Sequence, residues 1–148
     1  LREKTAIENL AVLVRDEKHE LTNQYTTDGI DVRIGDYANI DSLENAFKGI
    51  DMLYFVSGGD DDKRAVLHKN VVDAAKKTGV KHLLYTSSMW KDESDASTLA
   101  SLVDSHRQTE KFIKASGITY TICKHNLYAE VIGMLIGDRN QLLKTKSI

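Results

Sequence analysis

Apolar residues in this chain fall into two kinds of stretch, short continuous runs and longer segments at helical spacing. The clearest example spans residues 51–88. An apolar run at 51–57 leads through Gly58 and Gly59 to a segment where Leu67, Val71 and Ala75 recur at i, i+4 and i+8, with His68 and Val72 beside them. That spacing predicts one stripe of an amphipathic helix. Asp60, Asp61 and Asp62 suit its positive N-terminus, Lys76 and Lys77 suit its last turn, and Gly79 suits the residue just past its end. A second apolar run follows at 82–87. Strand, helix and strand in so short a span imply parallel strands joined by a right-handed crossover. Neither run alternates, which predicts helices on both faces of the sheet.

The same reading extends in both directions. Residues 1–8 are polar and helix-compatible, 9–15 read as a buried strand, and 16–23 as a short polar helix before a turn at 26–29. The run 30–34 alternates and predicts a weaker strand near a sheet edge. Asp41 and Glu44 have capping-box spacing and start a helix that carries Leu43, Ala46 and Phe47 inward and stops at Gly49. After the central unit come a polar loop over 88–98 with Trp90, a long helix over 99–116 ended by Gly117, and a strand over 118–123. A helix over 127–136 and a strand within 141–148 complete the pattern. This order predicts an α/β fold with a doubly wound parallel sheet, in one domain over residues 1–148.

Length and charge narrow the partners. A chain of 148 residues can build a real core. A net charge of −2 without a basic stripe argues against nucleic acid or an anionic membrane, and no apolar run is long enough to span a bilayer. The single cysteine, Cys123, leaves no internal disulfide within these residues and suits a reducing compartment, so the cytoplasm is the expected location. Inside a strand, Cys123 reads as a small buried hydrophobe rather than a reactive thiol. The chain opens at Leu1 and contains no proline. Both features lead to the expectation that it is part of a longer protein.

In doubly wound sheets ligands bind beyond the carboxyl ends of the strands. At those ends stand Arg15 and Asp16, then Gly35, Asp36 and Tyr37, then Ser57, Gly58 and Gly59, then Thr86, Ser87 and Ser88, and finally Lys124, His125 and Asn126. Short polar side chains and glycines recurring at one pole suit a nucleotide cleft. Arg15 could fork around the 2′-phosphate of NADP, with Asp16 the rival candidate for NAD. A solvated arginine is the plain alternative. Asp36 could hold an adenine amino group and Tyr37 could cover the ring, or the pair could simply end a strand. Ser57, Gly58 and Gly59 could let a cofactor approach the backbone closely, or form a bare turn. On the long helix Leu99, Val103, His106, Glu110 and Ile113 share one face. Two ionisable groups therefore lie on the stripe that packs inward. His106 could act as a general acid near neutral pH, with Glu110 orienting it or holding a ribose hydroxyl. A local His–Glu hydrogen bond is the alternative. Ser87 reads either as a group that orients a substrate carbonyl or as a strand-end cap. The five histidines share no metal-ligand spacing.

The chain resembles the NmrA-like branch of atypical short-chain dehydrogenases, and within it the bacterial NAD(P)H:quinone oxidoreductases of type 2. The resemblance rests on Val14-Arg15, Gly35-Asp-Tyr37, Asn70-Val-Val-Asp-Ala-Ala-Lys76, Gly79-Val-Lys81, Tyr85-Thr-Ser87, Thr109-Glu-Lys111, Ser116-Gly-Ile-Thr-Tyr120, and Tyr128 with Glu130. These run in order across almost the whole chain. The resemblance implies a Rossmann-like NAD(P)-binding fold that holds NADP(H) through Arg15, Asp36 and Tyr37. It places the nicotinamide near Ser57, Thr86, Ser87 and Lys124. Three departures stand out. His106 and Glu110 occupy the spacing where short-chain dehydrogenases carry a Tyr-x-x-x-Lys pair. Lys124-His-Asn126 stands where the family often has Arg-Asn-Gly, on the substrate side. The family's opening strand and glycine-rich phosphate loop have no match here, so the first strand, central in a 3-2-1-4-5-6 sheet, is expected to be missing.

The resemblance implies an NADPH-dependent oxidoreductase that reduces a quinone or similar carbonyl by hydride transfer, with His106, Tyr128 or water as proton source. Loss of the Tyr/Lys pair keeps a second class open, a redox-sensing regulator that binds NADP(H) without turnover. A sugar-nucleotide epimerase is disfavoured by His106 and Glu110. Val131, Ile132, Met134, Leu135 and Ile136 make the stretch 127–136 apolar enough to need a cover. That cover would be a further part of the protein or a second copy in a homodimer.

Overall fold

The computed structural model describes residues 4–18, 20–58, 63–89 and 100–126. Gly59, Asp60 to Asp62, Trp90, Tyr128, the expected helix over 127–136 and the expected strand within 141–148 lie outside them. Strands β1 (Ala11–Val14) and β2 (Asp31–Ile34) pair in parallel, with Ala11 opposite Asp31. Strands β3 (Met52–Phe55), β4 (His82–Ser88) and β5 (Thr119–His125) form a second parallel sheet with β4 in the middle. Helices α1 (Glu20–Thr27), α2 (Ile40–Ala46), α3 (Arg64–Thr78) and α4 (Ala100–Ser116) alternate with the strands. Parallel pairing across α1, α3 and α4 is what the central unit predicted, while α2 carries the chain from one sheet to the other.

One core ties the two sheets together. Leu43 of α2, Phe55 of β3, Val71 and Ala75 of α3, Leu83 and Tyr85 of β4, and Ile113 of α4 are all at most 1% exposed. Leu13 of β1 packs against the same cluster. Val12, Leu13 and Val14 also line a hollow with Leu21 and Tyr25 of α1, on the side away from α2. Helices therefore pack on both faces of the β1–β2 pair. The three-stranded sheet differs. Met52, Tyr54 and Val56 are 60%, 54% and 53% exposed while Phe55 is 1% exposed, so β3 does alternate. Among the described residues, α2, α3 and α4 gather on the Phe55 side of this sheet and none of them covers Met52 and Tyr54.

Local hydrogen bonds explain where boundaries moved. Residues 1–8 were expected to be helical, yet the described part holds only a 3-10 turn, Ile7–Asn9. The first helix starts later than residues 16–23 suggested. The Asp16 carboxylate accepts from the Lys18 amide at 2.9 Å, turning the chain first. Thr26 and Thr27 then donate their hydroxyls to the carbonyls of Thr22 and Asn23, which lets a turn-prone pair stay helical. The cap of α2 is Asn39 rather than Asp41, since the Asn39 side chain accepts from the Ser42 amide. Leu43, Ala46 and Phe47 still point inward as expected. At the end of α3, Gly79 takes φ 80° while Val80 donates to the Ala75 carbonyl at 3.0 Å. Cys123, expected to be buried, is half-buried on β5.

Leu83 and Val66 test this layout. Leu83→Ala, at 0% exposure, should cost about 3 kcal/mol of unfolding free energy. Val66→Ala, at 66% exposure, should change it by less than about 0.5 kcal/mol. Urea denaturation of both variants checks the contrast, and equal losses would contradict the core described above.

Candidate functional site

Three chain segments meet beyond the carboxyl end of β3. Ser57 donates its amide to the Thr86 hydroxyl at 2.8 Å, so the turn after β3 hangs from a buried side chain of β4. Tyr37 donates its hydroxyl to the Val56 carbonyl at 3.3 Å. Asn70 of α3 donates to the Tyr37 carbonyl at 2.9 Å and holds the loop after β2. At the far side the Met89 amide donates to the His125 carbonyl at 2.7 Å, binding the ends of β4 and β5.

Alternation along β4 sends Leu83, Tyr85 and Ser87 to the face covered by α3 and α4. There Ser87 donates to the Glu110 carboxylate at 2.8 Å. Lys124 and Lys114 face the same carboxylate at 3.5 and 3.4 Å. Glu110 therefore does not orient His106, and the local His–Glu bond is not what forms. His106 Nδ1 instead lies 2.7 Å from the Tyr85 hydroxyl. Behind Tyr85 stands His68 of α3, fully buried. Its Nδ1 is 2.8 Å from the Thr109 hydroxyl and 3.4 Å from the Tyr85 hydroxyl, and its Nε2 is 3.0 Å from the Gly58 carbonyl oxygen. The rings of Phe55, Tyr37 and Tyr85 pack around it, Phe55 closest at 4.8 Å between centroids.

Burial dominates the electrostatics of this cluster. It lowers the His68 pKa to about 4, against the pull of the Gly58 carbonyl, with Arg64 and His106 lowering it further. It lowers His106 as well, opposed by Glu110. It pushes Tyr85 up to about 12 and raises Tyr37. Both imidazoles are thus neutral at pH 7. A neutral His106 can pass a proton along its bond to Tyr85 but carries no stored acidic proton of its own.

The expected site residues divide into two groups. Ser57, Gly58, Thr86, Ser87, His106, Glu110 and Lys124 come together, and Tyr37 joins them through its hydroxyl and ring. Asp36 turns back on itself, accepting from the Ala38 amide at 2.9 Å. Gly35 makes room for packing, since a Cβ there would stand 2.8 Å from a Leu13 methyl carbon. Arg15 and Asp16 lie apart, at the rim of a hollow of about 300 Å³ against β1 and α1. Tyr128 lies outside the described residues. His68, Tyr85, Thr109 and Asn70 were not singled out from the sequence as site residues. The available signal was the period of two that puts Tyr85 on the same strand face as Ser87. Among the described residues, no group of three or more His, Cys, Asp or Glu stands together as a metal site.

The sequence pattern of a family described as NAD(P)H-binding matches residues 2–129. The chain belongs to this NAD(P)H-binding family. Its NmrA-like character follows from its relatives. Quinone oxidoreductase 2 of Escherichia coli is 39% identical over 102 residues, covering 69% of this chain and 34% of that protein. An NmrA-like family domain-containing oxidoreductase of Aspergillus flavus is 34% identical over 115 residues, covering 75% of this chain and 37% of that protein. Among solved structures, the triphenylmethane reductase of Citrobacter complexed with NADP(H) superposes with a TM-score of 0.79 at 34% identity, covering 88% of this chain and 45% of that one. The chain thus spans about a third of the curated relatives it matches. The fold is Rossmann-like, as the alternation of strands and helices predicted.

The residues present fit a member of the NAD(P)H-binding family. Among the described residues, and setting its chain neighbours aside, none comes within 4 Å of where a Gly58 Cβ would stand, so packing against them does not demand glycine there.

A histidine held neutral by burial makes stability depend on pH. The unfolded chain takes up a proton below its ordinary pKa of 6.5 that folded His68 refuses until about 4. Stability from this group is therefore complete above pH 6.5 and lost as pH falls towards 4, by about 3 kcal/mol in all. Urea midpoints measured across that range should fall in the native protein and fall less in His68→Gln.

Proposed function

We propose that this chain is the cofactor-binding part of an NADPH-dependent oxidoreductase that reduces a quinone or related carbonyl. The observation that carries the reading is the row of side chains meeting at the ends of β3, β4 and β5, in a chain 39% identical to a protein named for quinone oxidoreduction. The reduced nicotinamide, when bound, supplies a hydride, and a proton from solvent completes the two-electron reduction of a quinone to a hydroquinone. Thr86 and Ser57 shape the floor on which that ring lies. Glu110 holds Ser87 and Lys124 in place, so a hydroxyl and an ammonium group present donors to the cofactor amide or to a developing oxyanion. Arg15 selects a 2′-phosphate, which favours NADP(H) over NAD(H).

One observation favours a second reading, a regulator that senses NADP(H) without turnover. His106 is only 5% exposed, and its Nδ1 is engaged by Tyr85. The helix position that would supply an acid therefore faces the interior.

The two readings separate in one experiment on the full-length protein. NADPH and NADH binding are measured by fluorescence, and NADPH consumption is followed with a panel of quinones and carbonyls. Turnover with quinones is expected. Binding without turnover on any acceptor would leave only the regulator. Arg15→Ala should weaken NADPH by about tenfold, the worth of one charge-assisted contact, and leave NADH nearly unchanged.

A further inference from the structure

The turn after β3 is held by side chains at three successive backbone groups. Tyr37 holds the Val56 carbonyl, Thr86 holds the Ser57 amide, and the third contact, at the Gly58 carbonyl, belongs to His68. These ties come from three different elements. Gly58 has no side chain to anchor it, and among the described residues none beyond its chain neighbours stands within 4 Å of where a Cβ would lie. Its backbone direction therefore depends on what grips its carbonyl.

His68 is built for that grip. Its ring is 0% exposed and lies edge-on to Phe55 and Tyr85, at interplanar angles of 76° and 78°. The ring plane is thereby fixed. A leucine or phenylalanine would fill the same space without the cost of burying two ring nitrogens, so the polar ends need another explanation. One end faces α4 through Thr109, and the other faces the turn. Nε2 lies 3.0 Å from the Gly58 carbonyl oxygen and 3.4 Å from the Gly58 amide nitrogen, so the ring meets the turn in either tautomer. The shorter contact needs a hydrogen on Nε2, with Nδ1 accepting from the Thr109 hydroxyl at 2.8 Å. A hydroxyl that donates instead to the Ser105 carbonyl, also at 2.8 Å, goes with a hydrogen on Nδ1.

We propose that His68 is a positioning residue for the cofactor: its Nε2–H holds the Gly58 carbonyl and fixes the turn on which the nicotinamide half rests. Through Thr109 the same ring keys that turn to α4, the helix that carries His106 and Glu110. This inference rests on the cofactor-binding reading above and adds a residue that makes no contact with the cofactor itself.

Two isosteric variants separate the role from packing. A glutamine amide reaches where Nε2 stands, and an asparagine amide reaches only where Nδ1 stands. In the full-length protein, His68→Gln should bind NADPH within about threefold of the native protein, while His68→Asn and His68→Leu should bind it at least tenfold more weakly, the loss of one buried hydrogen bond. Identical affinities for all three variants, whether native-like or equally weakened, would assign His68 to packing alone and overturn the proposal. Long-range ¹H–¹⁵N correlation of the histidine rings in the native protein gives a readout that needs no variant to fold. A proton on Nε2 is expected, and a proton on Nδ1 would overturn the tie to the Gly58 carbonyl even if NADPH binds. Failure of the native protein to bind either NADPH or NADH would instead defeat the cofactor reading, and this inference with it.

Discussion

A phenol hydroxyl buried in the middle of a parallel sheet cannot be left unpaired, and the arrangement around Tyr85 follows from that requirement. Tyr85 is 0% exposed at the centre of β3–β4–β5. Its backbone is satisfied by the strands on either side, but its hydroxyl reaches past the sheet into the helix layer. The partners there are imidazoles, His106 from α4 and His68 from α3. Each imidazole then has a second nitrogen to satisfy. For His68 that nitrogen leads out to Gly58, and Thr109 closes the other side. The result is a polar thread through an otherwise apolar core, running between two helices and ending at the carboxyl pole of the sheet. An apolar residue in place of Tyr85 would simplify the core and take from His106 Nδ1 its partner at 2.7 Å.

Beside that thread runs a second one of different character. Glu110 is buried, accepts from Ser87, and is faced by the ammonium groups of Lys114 and Lys124. A buried carboxylate is tolerable when charge and hydrogen bonds both answer it. The two threads meet α4 one turn apart, the neutral one at His106 and the ionic one at Glu110. A single helix can thus present an uncharged relay and a charged clamp to one ligand without the two neutralising each other.

Much of the fold was legible because hydrophobic period reports directly on which face is covered. The stripe of Val71, Val72 and Ala75 and the inward turn of Leu43 and Phe47 appear where spacing placed them. The shifts came from polar side chains acting on nearby backbone: Asn39 taking the cap from Asp41, and Asp16 turning the chain before α1 could begin. Such choices depend on local geometry between near-equivalent residues, which spacing does not rank. In the site, His106 and Glu110 were legible as ionisable groups on a packing stripe. Their partners were not. Tyr85 lies 21 positions from His106, Ser87 lies 23 from Glu110, and Thr109 lies 41 from His68. Pairing at that distance is decided by how strands and helices stack, and the pattern within one element carries no record of it.

Every strand pairing described here is parallel, and this bears on how the chain is made as well as on what it binds. Ala11 meets Asp31, Met52 meets His82, and His82 meets Thr119. No pair closes through a tight hairpin, so each must wait for a helix to be in place between its partners. On a ribosome, β4 would emerge with only β3 to pair with, and its other edge would stay open until His125 had cleared the exit tunnel. The residues of the ionic thread come from both sides of that delay, with Ser87 made before Lys124. The pole where Ser87, Glu110 and Lys124 meet therefore takes shape only once β5 has joined β4.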